Sequence, residues 1–348
     1  MVWTVHDWGA LEMIAKTSDI GFFEGYHAGL WDADDIPGLL VFFLINETAM
    51  TDYLFSKGII RVVNWLRHLF RPNTRRGSRR NIIAHYDLGN DFYQHWLDGS
   101  MTYSAGLYTQ PDMTLESAQN AKYQAILDDL NLPTGSHILE IGCGWGGFAI
   151  YAAHQGYHIT AITISPAQHA FAQERIEAQK LEDRITLQSC DYRELEGQYD
   201  GIVSIEMFEA VGKAYWGKFF QTVKRCLKPN RSAIIQTITI AEENFQSYIR
   251  NVDFIQLYIF PGGLLPSPER FCRAALNEGL KVENRRSFGP SYTQTLEQWR
   301  ARFQLSWPKI MKLGFDESFY RLWDYYLSYC IAGFRTERID VVHFQLTR

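Results

Sequence analysis

Glu206 and Glu209 stand three residues apart just past the apolar run 201–205. A helical turn there puts both carboxylates on one side, and beside an apolar surface such a pair is costly unless paired or solvated. Held in that place, the acids can accept a proton or neutralise a positive centre; on the surface they would be ordinary salt-bridge partners. Gln236 and Ile238, two apart in the apolar run 233–239, share one face of a strand. Gln236 there is either a working amide or a satisfied core amide. A third acid, Glu140, sits two residues ahead of the glycine-dense segment Gly142-Cys-Gly-Trp-Gly-Gly147.

That segment follows a candidate strand over 137–141 and runs into a helical pattern from Phe148. Glycine allows positive φ and lets a ligand lie against bare backbone, and the helix aims its free N–H groups at whatever occupies the turn. Gly142-x-Gly144-x-x-Gly147 also fits a dinucleotide fingerprint, which wants an acid roughly 20 residues on for the ribose hydroxyls. The window Ala161-Ile-Thr-Ile-Ser165 holds no carboxylate. The acid is instead Glu140, placed to meet an ammonium group, so cationic S-adenosylmethionine fits better than anionic NAD.

The following loops supply further cofactor candidates. Thr163 and Ser165 end the second strand, and Ser165-Pro-Ala-Gln168 reads as a capping box with proline at the first helical position. Ser165 and Gln168 can cap the helix, serve the ribose, or do both. Asp191-Tyr192 ends the third strand, where the acid can accept a hydrogen bond from the adenine amine or remain a solvated loop acid.

The elements that carry these residues alternate. Candidate strands cover 137–141, 158–164, 185–188, 201–205, 233–239, 281–287 and 341–347, with helical segments between them. Such alternation predicts an α/β doubly wound sheet. Three regions divide the chain: short amphipathic pieces over 1–50, too small for an independent core; an amphipathic helix over 52–70 and a basic linker to 80; and the alternating region 81–348. Two helical insertions, about 242–276 and 294–335, interrupt the last strands. The second is rich in aromatics (Trp299, Trp307, Trp323, Tyr325, Tyr326, Tyr329). Both should lie over the carboxyl edge of the sheet, where open α/β folds bind ligands, as an aromatic lid on a long apolar slot.

Composition limits the alternatives. The net charge of −5 argues against a nucleic-acid enzyme defined by bulk charge. Five scattered cysteines without a CxxC pair read as reduced thiols of a cytoplasmic protein, not a disulfide frame or a metal site. The longest apolar run, 39–45, is far short of the ~20 residues of a membrane span, and no signal peptide precedes it.

With these residues in view, the chain resembles the cyclopropane fatty acyl phospholipid synthase family, which includes the mycolic acid methyltransferases. The segments that carry the likeness are His85-Tyr-Asp-Leu-Gly-Asn-Asp91, Tyr103-Ser104, Gly142 to Gly147, Thr163-Ile164-Ser165, Asp191-Tyr192, Met207-Phe-Glu209, Phe260-Pro-Gly-Gly263 and Gly333-Phe-Arg335. They span 81–348; a weaker likeness, Asp19-Ile-Gly to Gly29-Leu-Trp, matches the end of the family's N-terminal helical domain and places Met1 inside it. The resemblance implies a class I S-adenosylmethionine methyltransferase, a Rossmann-like seven-stranded sheet with helical lid insertions. It implies methyl transfer to a cis double bond of a phospholipid acyl chain through a carbocation. Proton loss then gives a cyclopropane, a methyl-branched or a methylene product. Aromatic faces, carboxylates and exclusion of water suit such a cation.

By resemblance, Tyr86, Tyr103 and Phe260 match the family's aromatic lining. Glu209 and Tyr292 match residues that hold a bound bicarbonate, the family's proton acceptor, with a backbone contact at Ile238. The departures carry the expectation furthest. Ala105 stands where cyclopropane-forming members usually have cysteine, Gln236 where they have histidine, Ala210 where histidine is common, and Glu206 where they have glycine. Bicarbonate contacts are lost and a carboxylate is gained, so Glu206 is expected to occupy the bicarbonate's space and act as the base, as in the branch of the family that makes methyl or methylene fatty acids.

The run Arg71, Arg75, Arg76, Arg79 and Arg80 either links two regions or docks on anionic headgroups, at about 1 kcal/mol per basic residue near such a surface. The docking reading makes the protein a peripheral one on the cytoplasmic face of the membrane, without nucleic-acid partners; the family also makes a homodimer possible. Two further rivals remain open: a methyltransferase of a non-lipid small molecule or of nucleic acid, with the arginines as a phosphate track, and a lipid-binding relic that has lost catalysis.

Overall fold

In the computed structural model, residues 1–47 and 88–348 are described. The helix expected over 52–70, the arginine run and Tyr86 lie outside the described residues. Strands β1 (Trp3–Val5) and β2 (Trp31–Ala33) pair antiparallel near the start of the chain, a small sheet that the reading of this region as helical did not foresee. Seven more strands follow: β3 (His137–Ile141), β4 (His158–Thr163), β5 (Ile185–Ser189), β6 (Gly201–Ile205), β7 (Ser232–Ile240), β8 (Lys281–Ser287) and β9 (Ile339–Thr347). They form one sheet in the order β5-β4-β3-β6-β7-β9-β8. The strands from β5 to β7 pair parallel, whereas β9 runs antiparallel between β7 and β8.

All seven expected strands are present, but β7 and β9 run longer than their apolar cores. They pair from Ser232↔Thr347 to Ile240↔Ile339, and the unbroken ladder extends both into flanking polar residues. β3 is buried on both faces, as a central parallel strand must be. The strand order reverses at β3, with β4 on one side and β6 on the other. Such a point opens a crevice beyond the carboxyl ends. β3 delivers Glu140 and the glycine turn there, and β6 delivers Glu206.

The glycine turn follows its sequence logic. Gly142, Gly144 and Gly146 all have positive φ (87°, 53° and 85°), and the Gly142 and Cys143 N–H groups donate to the Ile162 carbonyl at 3.1 and 2.9 Å. A Cβ on Gly147 would sit 2.5 Å from Tyr123 Oη and 2.8 Å from Thr102 Oγ1, so only glycine starts that helix without displacing its neighbours. At the next turn Ser165 caps helix Pro166–Ala178 by accepting from Gln168 N–H at 3.3 Å. The reciprocal half of the expected capping box is absent: Ser165 N–H donates to Thr163 Oγ1, and Thr163 Oγ1 donates to Gln168 Oε1.

Two lid expectations need correction. In the first insertion, helix Glu242–Tyr248, the π-helical turn Ile255–Ile259 and the loop to Leu265 do border the cavity described below. Helix Pro268–Asn277, however, packs onto the sheet, with Phe271 stacked on Phe344 at 4.1 Å. Its strong apolar stripe found the sheet before the slot. In the second insertion, helices Gly289–Ile310 and Glu317–Arg335 pair with each other. Tyr325, Tyr326 and Tyr329 border the cavity, whereas Trp299 and Trp323 are core. The same aromatic core receives the N-terminal segment: Phe23 lies 4.4 Å from Phe254 and 5.1 Å from Tyr325, ring centre to ring centre. Residues 1–47 thus pack their aromatics on one another, as Trp31 does on Trp3, Phe22 and Tyr26, and also against the lid.

Candidate active site

A continuous cavity of about 670 Å³ runs from the glycine turn to the lid tyrosines. At the turn it is bordered by Gly142, Gly144, Thr163, Ile164 and Gln168; at the other end by Tyr103, Phe260, Tyr292, Tyr326 and Phe334. Glu140, Glu206 and Glu209 face it between these ends.

The turn end suits a cationic nucleoside ligand. Glu140 is only 3% exposed, and its Oε2 has no hydrogen-bond partner. Burial pushes its carboxyl up to about 8 even though Lys122 pulls the other way. An orphaned carboxylate oxygen beside a turn stripped of Cβ atoms is the complement of a bound ammonium group. Thr163 and Gln168 engage each other, and Ser165 is a buried helix cap outside the cavity lining, so of these three Ser165 is the one the structure withdraws from ligand contact. Asp191 borders the cavity beside Tyr192 but is not the free acceptor expected of it. Its carboxylate takes Arg193 Nε at 2.8 Å, Nη2 at 2.6 Å and the Arg193 N–H at 3.0 Å. Arg193, four residues past the end of β5, thus folds back onto the acid.

The other end gathers around Glu206. Its Oε1 accepts from the Ala105 N–H at 2.8 Å and from Gln236 Nε2 at 2.7 Å; its Oε2 accepts from Tyr292 Oη at 2.6 Å. Gln236 is fully buried behind the carboxylate, and its Oε1 pairs with His343 Nε2 at 2.8 Å across the β7–β9 ladder. Burial raises the Glu206 carboxyl above its usual range, while the Tyr292, Ala105 and Gln236 donors and the Lys122 charge hold it down. Glu209 Oε1 accepts from the Ile238 N–H at 2.5 Å, and its Oε2 is buried without a partner. Burial, then the Glu206 charge, pushes Glu209 up to about 8. The helical turn expected to align the pair begins only at Phe208. Glu206 itself has φ +49°, in the region that favours glycine.

Tyr103 Oη pairs with Tyr326 Oη at 2.7 Å and its ring packs on Tyr93, Trp96 and Trp299. Phe260 meets Tyr326 edge to face at 6.3 Å. Ser104 is buried and accepts from Lys122 Nζ at 2.8 Å. Lys122, Gln119 and His343 are the polar residues around this site that sequence reasoning missed. Their signal was legible: Gln119 and Lys122 lie three apart on the apolar face of helix Leu115–Leu130, and His343 interrupts the apolar run of β9.

A glycine turn after the first central strand, an orphaned acid beside it and an adjoining apolar chamber on a seven-stranded sheet define an S-adenosylmethionine-dependent methyltransferase. Residues 73–344 match the model of the mycolic acid cyclopropane synthetase family, and the chain belongs to that family. It is 38% identical to the tuberculostearic acid methyltransferase UfaA1 of Mycobacterium tuberculosis, over 96% of this chain and 80% of that one. It is 36% identical to the cyclopropane-fatty-acyl-phospholipid synthase of Escherichia coli, over 94% and 83%. Among solved structures it resembles the mycolic acid cyclopropane synthase CmaA1 complexed with SAH and CTAB, with a TM-score of 0.74 and 31% identity over 78% of this chain and 98% of that one. The cofactor is S-adenosylmethionine, and the residues at the turn end fit it.

Proposed function

We propose that the protein methylates the double bond of an unsaturated phospholipid acyl chain, with Glu206 as the base that ends the reaction. The bound cofactor supplies an electrophilic methyl group, and its transfer leaves a cation on the acyl chain. The lid tyrosines and Phe260 offer π faces to that cation and keep water from it. Glu206 then takes a proton from the cation; the electron pair left behind forms a new double bond or closes the ring, and the glutamic acid later loses the proton to solvent. The proton affinity of Glu206 is set by opposition: burial favours the acid, three donors favour the carboxylate. A carboxylate so placed is more basic than an exposed one and suffices for so acidic a donor.

One observation carries this reading. The Tyr292 hydroxyl, which by resemblance would hold a bicarbonate, donates to Glu206 instead, and the Ile238 N–H is taken by Glu209. A methyl-branched or methylene product is the reading preferred over a cyclopropane, because Glu206, Ala105 and Gln236 depart from the residues that cyclopropane-forming members carry. Lipid mass spectrometry of a host expressing the chain, with and without an unsaturated precursor, tests substrate and product together. An unchanged acyl profile with precursor present ends the lipid reading. Glu206→Gln assayed with ample bicarbonate tests the base, and undiminished turnover removes it.

Docking on anionic lipid through the arginine run remains part of this proposal. It predicts co-sedimentation with anionic vesicles that weakens with salt.

A further inference from the structure

Lys122 lies fully buried in the middle of helix Leu115–Leu130, where an unpaired ammonium group would be very costly. Its Nζ donates to Ser104 Oγ at 2.8 Å and to Gln119 Oε1 at 2.6 Å, and sits 4.7 Å from the centre of the Tyr123 ring. Gln119 Nε2 in turn donates to the Ser104 carbonyl at 2.8 Å. Ser104 is therefore gripped at its hydroxyl and its carbonyl from one helix. Its two neighbours both face the chemistry: Tyr103 borders the cavity, and the Ala105 N–H donates to Glu206.

The ammonium also stands among carboxylates from three other elements: Asp98 in the loop before Tyr103, Glu140 on β3 and Glu206 after β6. His343 on β9 faces it too, and burial keeps that imidazole neutral near pH 7. Asp98 is tied to the Ser100 and Thr102 N–H groups and feels the Arg175 guanidinium. Glu140 and Glu206 have no cation of their own in the described residues other than Lys122.

We propose that Lys122 is a positioning residue of the methyl-transfer reaction, the fixed countercharge of Glu140 and Glu206 and the anchor of the Tyr103–Ala105 strap. The inference rests on Glu206 being the base. Glu140 is the acid that meets the cofactor's ammonium, so Glu206, toward the lid end, is the carboxylate that depends most on Lys122 for a countercharge. Burial pulls the Lys122 ammonium down to about 7, and the Glu206, Asp98 and Glu140 carboxylates oppose that fall, so loss of the Glu206 charge should lower it further.

The test is the pH dependence of kcat for Lys122→Met and Lys122→Gln, each shown to be folded by its melting curve. Both remove the charge that holds Glu206 down, so the acidic limb should move up by about one pH unit, and turnover on that limb should fall by up to about tenfold. A purely structural lysine would lower Tm and leave the limb in place, and an unmoved limb in a folded variant overturns the proposal. Should neither variant fold, lysine Cε resonances of 13C-labelled wild type and Glu206→Gln decide it. The lysine that titrates near pH 7 should titrate lower still once its anionic partner is gone; an unchanged midpoint counts against the countercharge. Failure of the underlying reading is distinct: Glu206→Gln would then turn over normally.

Discussion

Gln236 Nε2 donates to Glu206 Oε1 at 2.7 Å, from the residue paired with Ile205 on the neighbouring strand. The amide is oriented from behind, because its Oε1 is occupied by His343 Nε2. A carboxylate in this chamber is therefore addressed by a relay two residues deep, built on the register Gln236↔His343. The relay is neutral throughout, so it orients Glu206 without adding charge.

Gln236→Met keeps much of the volume but removes both ends of the relay. The His343 ring, already lacking a partner at Nδ1, would then be left unpaired at Nε2 as well. Each orphaned buried group costs about 1–3 kcal/mol, so the variant should melt several degrees lower and lose turnover. Thermal melts of Gln236→Met beside the Gln236→Met/His343→Phe double variant check the account. The second change should restore part of the lost stability and none of the activity.

Tyr292→Phe deletes one donor to Glu206 and little else, since the ring keeps its 4.5 Å packing on Phe334. A hydrogen bond to a charged group contributes about 1.5 kcal/mol or more, which is about one pKa unit. Loss of that donor raises the Glu206 pKa. The acidic limb of the pH–rate profile should therefore shift upward by about one unit, with turnover approaching wild type at alkaline pH. A profile that scales down uniformly instead would assign Tyr292 to substrate packing.

How much of this was legible beforehand follows from which signals are local. β3, its glycine turn and the Glu206/Glu209 spacing announce themselves, because apolar runs and positive-φ turns are written in adjacent residues. The Gln236–His343 pair is not, since only the sheet order sets β7 beside β9, and the Lys122–Ser104 contact is not, since it depends on how a loop folds back onto the following helix. The Arg193 partner of Asp191 was likewise hidden: a strand-end acid looks solvated until a guanidinium two residues later folds back onto it. The lid split likewise turned on partners. Trp299 and Tyr326 look alike in sequence, but one packs against Trp96 and the other against the cavity.

Glu140 predicts a pH signature in the protein without cofactor. Its carboxyl is raised to about 8 in the folded state from an ordinary value of 4.5, so between those values the folded protein holds a proton that the unfolded chain releases. Stability from this group is complete below pH 4.5 and is lost as pH rises toward 8; Glu209 adds a parallel loss. Glu140→Gln should flatten part of that decline and melt higher than wild type at pH 8. It should also bind S-adenosylmethionine about tenfold or more weakly, because a charge-assisted contact is gone. Higher melting with undiminished affinity would show that the acid does not meet the cofactor's ammonium.

Glu206→Gly offers the sharpest comparison with the bicarbonate-using members of the family. Glutamate at φ +49° costs about 1–2 kcal/mol that glycine would not, so the backbone should tolerate the change well. The variant leaves Tyr292 Oη, the Ala105 N–H and Gln236 Nε2 converging on an empty space the size of a carboxylate. It should be nearly inactive in bicarbonate-free buffer and regain turnover as bicarbonate or formate is added, with saturation at millimolar anion. Wild type should be indifferent to either anion, because its own side chain fills the place. Rescue that saturates in Glu206→Gly, absent in Glu206→Gly/Tyr292→Phe, would tie the proton acceptor to this one pocket; a wild-type rate that climbs with bicarbonate would move it elsewhere.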